Sequence, residues 1–400
     1  MESEVPVING QPHFFWHLEV SSKCTLECPR CPRTEKPGKY KITELSLEFI
    51  QKVMTKEILE KTFEILICGG QGDPIYCKDL IHIVRYIKEN NPTVVIKIIT
   101  NGSYKTKTWW EQLAQVLTPI DCVVFSVDGW DNESNNKYRV NNNFDSILTG
   151  VETLARLQPN MIIVWSTIVF SFNEDHLDKI KEVAEHAGAT HWQIVKSSLF
   201  GSKIPSYIDE TLGYDPLEPT NSEIKISKYA HSSRLDLLTV LRPVNDSDAK
   251  YYRDLRNQKI RSLANKLQDE FKNSELLPGC MLNERGLYID AEGILYPCSW
   301  ISHPFGVRKN HKKTIYWKDS LFVKYKDKFN LYKYSLDAII NSEEWNKLKC
   351  SFYDRGKHFV ECSDKCNKVS TLARLGAGLG LKVYDKNNIN LESLKGTKFE

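Results

Sequence analysis

Residues 22–31 read Ser-Lys-Cys-Thr-Leu-Glu-Cys-Pro-Arg-Cys, a C-x3-C-x2-C run directly behind an apolar, strand-like segment at 14–20. Cys24, Cys28 and Cys31 crowd three thiols into eight residues. Three thiolates do not complete a tetrahedral zinc site, which takes four protein ligands when structural. They suit a [4Fe–4S] cluster, where each thiolate holds a different iron and the fourth iron is left for an exogenous ligand. A zinc site completed by a Cys or His from elsewhere is the competing use of the same run.

Outward from that run, strands and helices alternate. Strand-like segments at 14–20, 63–68, 94–100, 122–127, 162–170 and 191–195 are short and rich in Val, Ile or aromatic residues. Between them lie helical patterns at 45–55, 78–89, 109–117, 144–157 and 175–186; in the second, Leu80, Ile83, Val84 and Ile87 recur at helical spacing. Alternation with largely apolar strands predicts an α/β fold with a parallel sheet, and six units predict a partial (β/α)6 TIM-like barrel. In such a barrel the loop after a strand's C-terminal end carries the chemistry, and the cysteine run occupies the first such loop.

The rhythm breaks after Lys196. Residues 197–276 read as a connecting insertion, proline-bearing at first and then a basic amphipathic helix with Leu255, Leu263, Leu267 and Phe271 along one side. Residues 277–375 read as a small α+β domain, with a hairpin expected across 286–297, and 376–400 as a tail.

Composition excludes several classes. Lys plus Arg number 54 against 51 acidic residues, a net charge of +3, so bulk charge alone does not hold this chain to nucleic acid. Hydrophobic residues at 41 % and aromatics at 11 % exclude wholesale disorder. The polar stretch 1–12 lacks the apolar segment of a signal peptide, and no run of apolar residues is long enough to span a membrane. Eleven cysteines in such a chain predict a reducing, cytoplasmic setting, where clustered thiols bind metal or do chemistry.

At these residues the chain resembles the radical S-adenosylmethionine (SAM) superfamily, over 14–196 and into the C-terminal region. The resemblance implies a [4Fe–4S] cluster on Cys24, Cys28 and Cys31 whose open iron binds SAM. It implies reductive cleavage of SAM to a 5′-deoxyadenosyl radical that abstracts a substrate hydrogen, with electrons from a low-potential donor such as flavodoxin or ferredoxin. The stretch Cys68-Gly69-Gly70-Gln71-Gly72-Asp73-Pro74 stands where the family has Gly-Gly-Glu-Pro, which binds the SAM amino group. The usual Glu is absent, so Gln71 or Asp73 must substitute, and Asp73 before Pro74 looks the better counterpart. Asn101 in Thr100-Asn101-Gly102, Ser126 and Asp128 in Ser126-Val127-Asp128-Gly129, and Arg139 after Tyr138 resemble family elements near SAM or substrate. Arg139 as a solvated surface charge is the plain alternative.

A second cysteine set begins with Cys280, continues as C-x12-G-x4-C through Gly293 to Cys298, and ends with Cys362-x3-Cys366. It resembles the twitch form of the SPASM domains, with too few cysteines for the full SPASM set. That likeness implies one auxiliary [4Fe–4S] cluster on Cys280, Cys298, Cys362 and Cys366, with Cys350 an alternate ligand; a closed zinc site is the alternative. Cys68 and Cys122 read as buried small hydrophobes. Cys77 stands at a helix start, where the dipole lowers a thiol's pKa. Relatives with such domains act on peptides and small molecules, and oxidation or bond formation on one of these is the expected reaction. RNA modification is the alternative, favoured only by 308–334, where nine Lys or Arg interleave with aromatics; a solvated amphipathic surface explains that segment as well. A zinc-stapled binding protein is the alternative outside enzymology.

Overall fold

The computed structural model describes residues 7–8, 11–12, 15–35, 37–38, 41–195, 197, 207–221, 224, 238–255, 258, 287–302, 324–350 and 362. A two-residue hairpin, β1 (Val7–Ile8) with β2 (Gln11–Pro12), precedes the main sheet. Six parallel strands then follow in chain order: β3 (Phe15–Leu18), β4 (Glu64–Ile67), β5 (Val95–Thr100), β6 (Cys122–Ser126), β7 (Ile162–Ile168) and β8 (His191–Val195). Each pairs with the next, so the (β/α)6 pattern expected from sequence is present.

Two antiparallel strands finish the edges. β9 (Thr239–Val240) closes on β8. β10 (Leu287–Ile289) runs parallel beside β3 and turns into β11 (Leu295–Tyr296), giving the order β11-β10-β3-β4-β5-β6-β7-β8-β9. The hairpin expected at 286–297 is therefore real, and it adds to the barrel's own sheet. Among the described residues the two edge strands do not pair with each other, so the sheet is open.

Helices cover the outer face because their apolar stripes match it. In α4 (Leu80–Asn90) the residues Leu80, Ile83, Val84 and Ile87 are buried, as their spacing requires. α5 (Lys107–Val116) starts on Thr106, whose side chain accepts from Trp109 N, and α7 (Phe144–Leu157) on Asn143, which accepts from Ser146 N. Two short helices unmarked in the sequence pattern, α3 (Lys56–Glu60) and α6 (Asn132–Asn136), fill connections; one turn of helix leaves too little periodicity to read.

The alternation of the strands divides the core in two. Ile65, Ile67, Ile96, Ile98, Val123, Phe125, Ile163 and Trp165 pack under the helices. On the other face Ile99, Val124, Ile162 and Val164 cluster with Leu66, Cys68 and Cys122, and Leu238, Val244 and Ala249 of the insertion pack against them. Of the insertion helix expected from sequence, 247–255 is helical, and Leu263, Leu267 and Phe271 lie outside the described residues. Among the described residues no helix is long and apolar enough to cross a membrane.

Candidate active site

All six parallel strands end on one edge of the sheet, so the loops behind β3, β4, β5 and β6 meet there. The loop behind β3 is pinched at its base: Ser21 bridges Glu44, Ser22 N donates to Thr43 O at 3.0 Å, and Leu45 N donates to Val20 O at 2.9 Å. The excursion between those pins carries the three cysteines. It is stitched internally by Cys31 N to Cys28 O at 3.0 Å and Arg33 Nη2 to Leu26 O at 2.8 Å. α1 (Pro32–Glu35) follows at once, with proline at its first position where no N–H is needed.

Neighbouring loops grip this excursion. Asp73 N donates to Lys23 O at 2.9 Å, and Glu27 N to Val140 O at 3.0 Å. Asn101 Nδ2 lies 3.6 Å from the Cys24 sulfur. Arg139 is held from behind by Asp128, Nε to Oδ2 at 2.6 Å, and its charge acts on the Cys28 thiol. The alternative reading of Arg139 as a solvated surface charge fails, since its side chain is only 16 % exposed. Burial works against the charge of Arg139, but Asp128 and Cys28 hold it protonated.

The three thiols are half-buried and outside any disulfide. Burial, with Asp73 nearby, pushes the Cys24 thiol up to about 12; burial raises Cys28 as well, opposed by Arg139. Among the described residues no three His, Cys, Asp or Glu side chains converge on a point for a single metal ion. The donor set fits a cluster: three soft sulfurs, with the Asn101 amide at one of them and the Arg139 charge beside another to offset the charge of cluster-bound thiolates.

Several residues expected to touch a cofactor are hydrogen-bonded to one another. Asp73 is buried, and its Oδ1 accepts from Thr100 Oγ1 at 2.7 Å and Ile75 N at 3.2 Å. Its Oδ2 accepts from Asn101 N at 2.6 Å and Asn101 Nδ2 at 2.7 Å. Burial raises its pKa while those hydrogen bonds oppose the rise. Asp73 is thus a clamp between two loops. Asp128 is likewise buried, with Ile168 N donating to Oδ1 at 2.7 Å, and it orients Arg139. Asn101 spends Oδ1 on Ser103 N at 2.9 Å. Ser126 is half-buried at the end of β6; Gly70 is exposed at the turn, beside the partly buried Gly69 and Gln71.

The glycines of this turn answer to crowding. A Cβ on Gly72 would stand 2.1 Å from Ser21 O, and one on Gly69 2.3 Å from Gly72 O. Beneath them lies Glu19, a residue not singled out in the sequence. It is 1 % exposed, accepts from Gln71 N at 2.6 Å and Gly72 N at 3.2 Å, and is hydrogen-bonded by Tyr288. Arg30 is another. Set between two cysteines it reads as a surface charge, yet it is buried, paired with Asp215, and 4.4 Å from the Tyr207 ring. A charged residue directly behind a strand, or wedged within a ligand run, is the only sequence signal for either.

Comparison with known proteins bears on this edge of the sheet. The family model for the radical SAM superfamily matches residues 18–203. Those residues form a radical SAM domain. A GTP 3′,8-cyclase of Limosilactobacillus fermentum is 25 % identical over 176 residues, 44 % of this chain and 52 % of that protein. The chain thus spans about half the length of the curated relative that it matches. Among solved structures, Streptococcus suis SuiB bound to the precursor peptide SuiA aligns at 11 % identity and a TM-score of 0.48, covering 87 % of this chain and 75 % of that one. Native anSMEcpe with bound AdoMet aligns at 15 % identity and a TM-score of 0.44, covering 85 % and 84 %. The matched residues run from the last residue of β3 through β8 and hold the loops behind β3, β4, β5 and β6.

Cys298 and Cys362 are buried in the main apolar cluster; Cys280 and Cys366 lie outside the described residues, as does the side chain of Cys350. Cys77 departs from its expected helix-start chemistry. It is 2 % exposed, its thiol donates to Leu45 O at 3.6 Å, and burial pushes it up to about 12. Cys68 and Cys122 pack in the inner cluster, as expected. Of the basic stretch 308–334 only 324–334 is described; there Phe329 is buried and Tyr332 lies 4.4 Å from the Phe49 ring.

Proposed function

We propose that this protein is a radical SAM enzyme acting on a peptide or small molecule, by oxidation or bond formation. The observation that carries the reading is the gathering of Cys24, Cys28 and Cys31 at the C-terminal edge of a parallel sheet, with the Asn101 amide at one sulfur and the Arg139 charge beside another. A [4Fe–4S] cluster on those thiolates, with SAM on its open iron and one electron from a flavodoxin- or ferredoxin-like donor, supplies a 5′-deoxyadenosyl radical for hydrogen abstraction.

The chain's own residues divide the remaining work. Asn101 and Arg139 offset charge on the cluster sulfurs. Arg139 keeps further guanidinium N–H groups beyond the Nε on Asp128, in a fork suited to a carboxylate such as that of SAM. Carbonyls of the 69–72 turn, together with Gln71, take the SAM amino group, since both Asp73 oxygens are spent. The substrate class and an auxiliary cluster on Cys280, Cys298, Cys362 and Cys366 rest on the twitch-like cysteine spacing.

Anaerobic reconstitution tests this. About four irons lost on replacing Cys24, Cys28 and Cys31 by Ala, about four retained, and 5′-deoxyadenosine formed by the unaltered protein with reductant and SAM are expected. Zinc in place of iron, with no SAM cleavage, overturns the reading.

A further inference from the structure

The 69–72 turn has no carboxylate of its own facing a ligand, and Asp73 is consumed in bracing the next loop. The acid that shapes the turn comes from another strand. Glu19 follows β3 directly, and its backbone is fixed by Glu19 N to Ile289 O at 2.9 Å. Its Oε1 gathers two successive N–H groups of the turn, those of Gln71 and Gly72. Its Oε2 receives the Tyr288 hydroxyl. Gly69 is so close that a Cβ there would stand 2.9 Å from Oε1. No side chain can therefore replace the glycine without moving the acid.

Tyr288 is in turn immobilised. It is 1 % exposed, pairs with His17 across β10 and β3, and has the His17 ring edge-on at 4.7 Å. The hairpin beyond it is locked by Asp290, which accepts from Tyr296 O–H at 2.9 Å and Ile294 N at 2.9 Å. One continuous hydrogen-bonded path runs from that hairpin to the turn. Two N–H groups held by one buried acid fix the backbone of the turn at Gln71 and Gly72.

We propose that Glu19, fixed by Tyr288, is the positioning residue for the 69–72 turn, and that through it the C-terminal hairpin sets the affinity of the site for the amino end of SAM. The inference rests on the reading of the site as a SAM site. The acid does not touch the cofactor; it acts by presenting the turn. An isosteric amide does the same, since its oxygen accepts the two N–H groups and its NH2 donates to the Tyr288 oxygen.

The test uses the full chain, reconstituted anaerobically, as wild type, Glu19→Gln, Glu19→Ala and Tyr288→Phe. Iron per chain, amide exchange across 69–77 without SAM, and SAM affinity by equilibrium dialysis are measured on the same samples. Iron is expected to be equal in all four. Glu19→Ala speeds exchange at Gln71 and Gly72 and weakens SAM binding on the order of tenfold, the loss of two buried hydrogen bonds. Tyr288→Phe shows the same change at about threefold, and Glu19→Gln stays within about twofold of wild type. If Glu19→Ala loses iron, Tyr288→Phe and Glu19→Gln decide the matter alone. A wild type with full iron that binds no SAM overturns the reading of the site. A wild type that binds SAM, with Tyr288→Phe and any intact Glu19→Ala matching it in affinity and exchange, overturns the role of Glu19 only.

Discussion

Asp73 and Asn101 are joined twice through one carboxylate oxygen, by the backbone N–H at 2.6 Å and by the side-chain amide at 2.7 Å. The same amide then reaches the Cys24 sulfur at 3.6 Å. The acid that the motif alone offers as a SAM ligand is thus bound one step back, holding the residue that holds a cysteine.

That arrangement separates two roles experimentally. Asp73→Ala strips the acceptor from Thr100, Asn101 and Ile75, and each buried donor left without a partner costs about 1–3 kcal/mol. A stability loss of at least about 3 kcal/mol is expected, read from urea unfolding of the metal-free chain. Asp73→Asn, which keeps one accepting oxygen, loses less. Were Asp73 also a SAM ligand, Asp73→Asn would lose SAM affinity out of proportion to its small loss of stability.

Arg139 lies between Asp128 and Cys28, and the pair is buried on the Asp128 side. Removing Asp128 leaves an uncompensated charge in the interior, so Asp128→Ala is expected to cost about 3–5 kcal/mol. Asp128→Asn keeps a hydrogen-bonding oxygen and costs less. Arg139→Leu removes the cation from the Cys28 sulfur. In the reconstituted protein it is expected to speed iron loss to a chelator on the order of tenfold. An unchanged rate would show that Arg139 contributes nothing to holding the cluster.

The fold and the metal run were legible because each is written locally. Leu80, Ile83, Val84 and Ile87 declare a helix by spacing alone, and Cys24, Cys28 and Cys31 crowd three thiols into eight residues. What lay hidden depends on partners far along the chain. Glu19 meets Tyr288 at a separation of 269 residues, and Arg30 meets Asp215 at 185. Neither acid nor arginine differs, as a residue type in a string, from a solvated surface charge. Asp73 and Asp128 show the same limit: the motif shows a carboxylate beside the site, and only the fold shows which donors it accepts from.

Cys77 gives a direct check on burial against helix-start chemistry. A thiol held at about 12 and 2 % exposed carries a negligible thiolate fraction at pH 8, and the thiolate is the reactive form. Cys77 is therefore expected to resist iodoacetamide in the folded, metal-free protein and to react at an ordinary rate once unfolded in urea. Peptide mass spectrometry reads the site. Rapid labelling of Cys77 in the native chain would mean that the helix terminus, and not burial, governs it. Cys77→Ala is expected to leave SAM cleavage unchanged.

The buried acids set the direction of the pH response. Burial lifts Glu19 from 4.5 to about 7 and Asp290 from 3.8 to about 6. Between those values the folded chain holds protons that the unfolded chain has released. Stability is then fully present below the unfolded pKa and is lost as pH rises through the folded one. Each shift corresponds to roughly 3 kcal/mol, since one pKa unit is about 1.4 kcal/mol. His191 works the other way, because burial lowers its pKa from 6.5 and stability falls as acid protonates the unfolded chain. Above pH 6.5 that opposing contribution has faded while Glu19 is still losing its proton. The metal-free wild type is therefore expected to melt at a lower temperature at pH 8 than at pH 6.5. Glu19→Gln, which cannot ionise, flattens that difference. An equal slope in both proteins would show that the Tyr288–Glu19–Gln71 chain holds an acid already charged at pH 6.5.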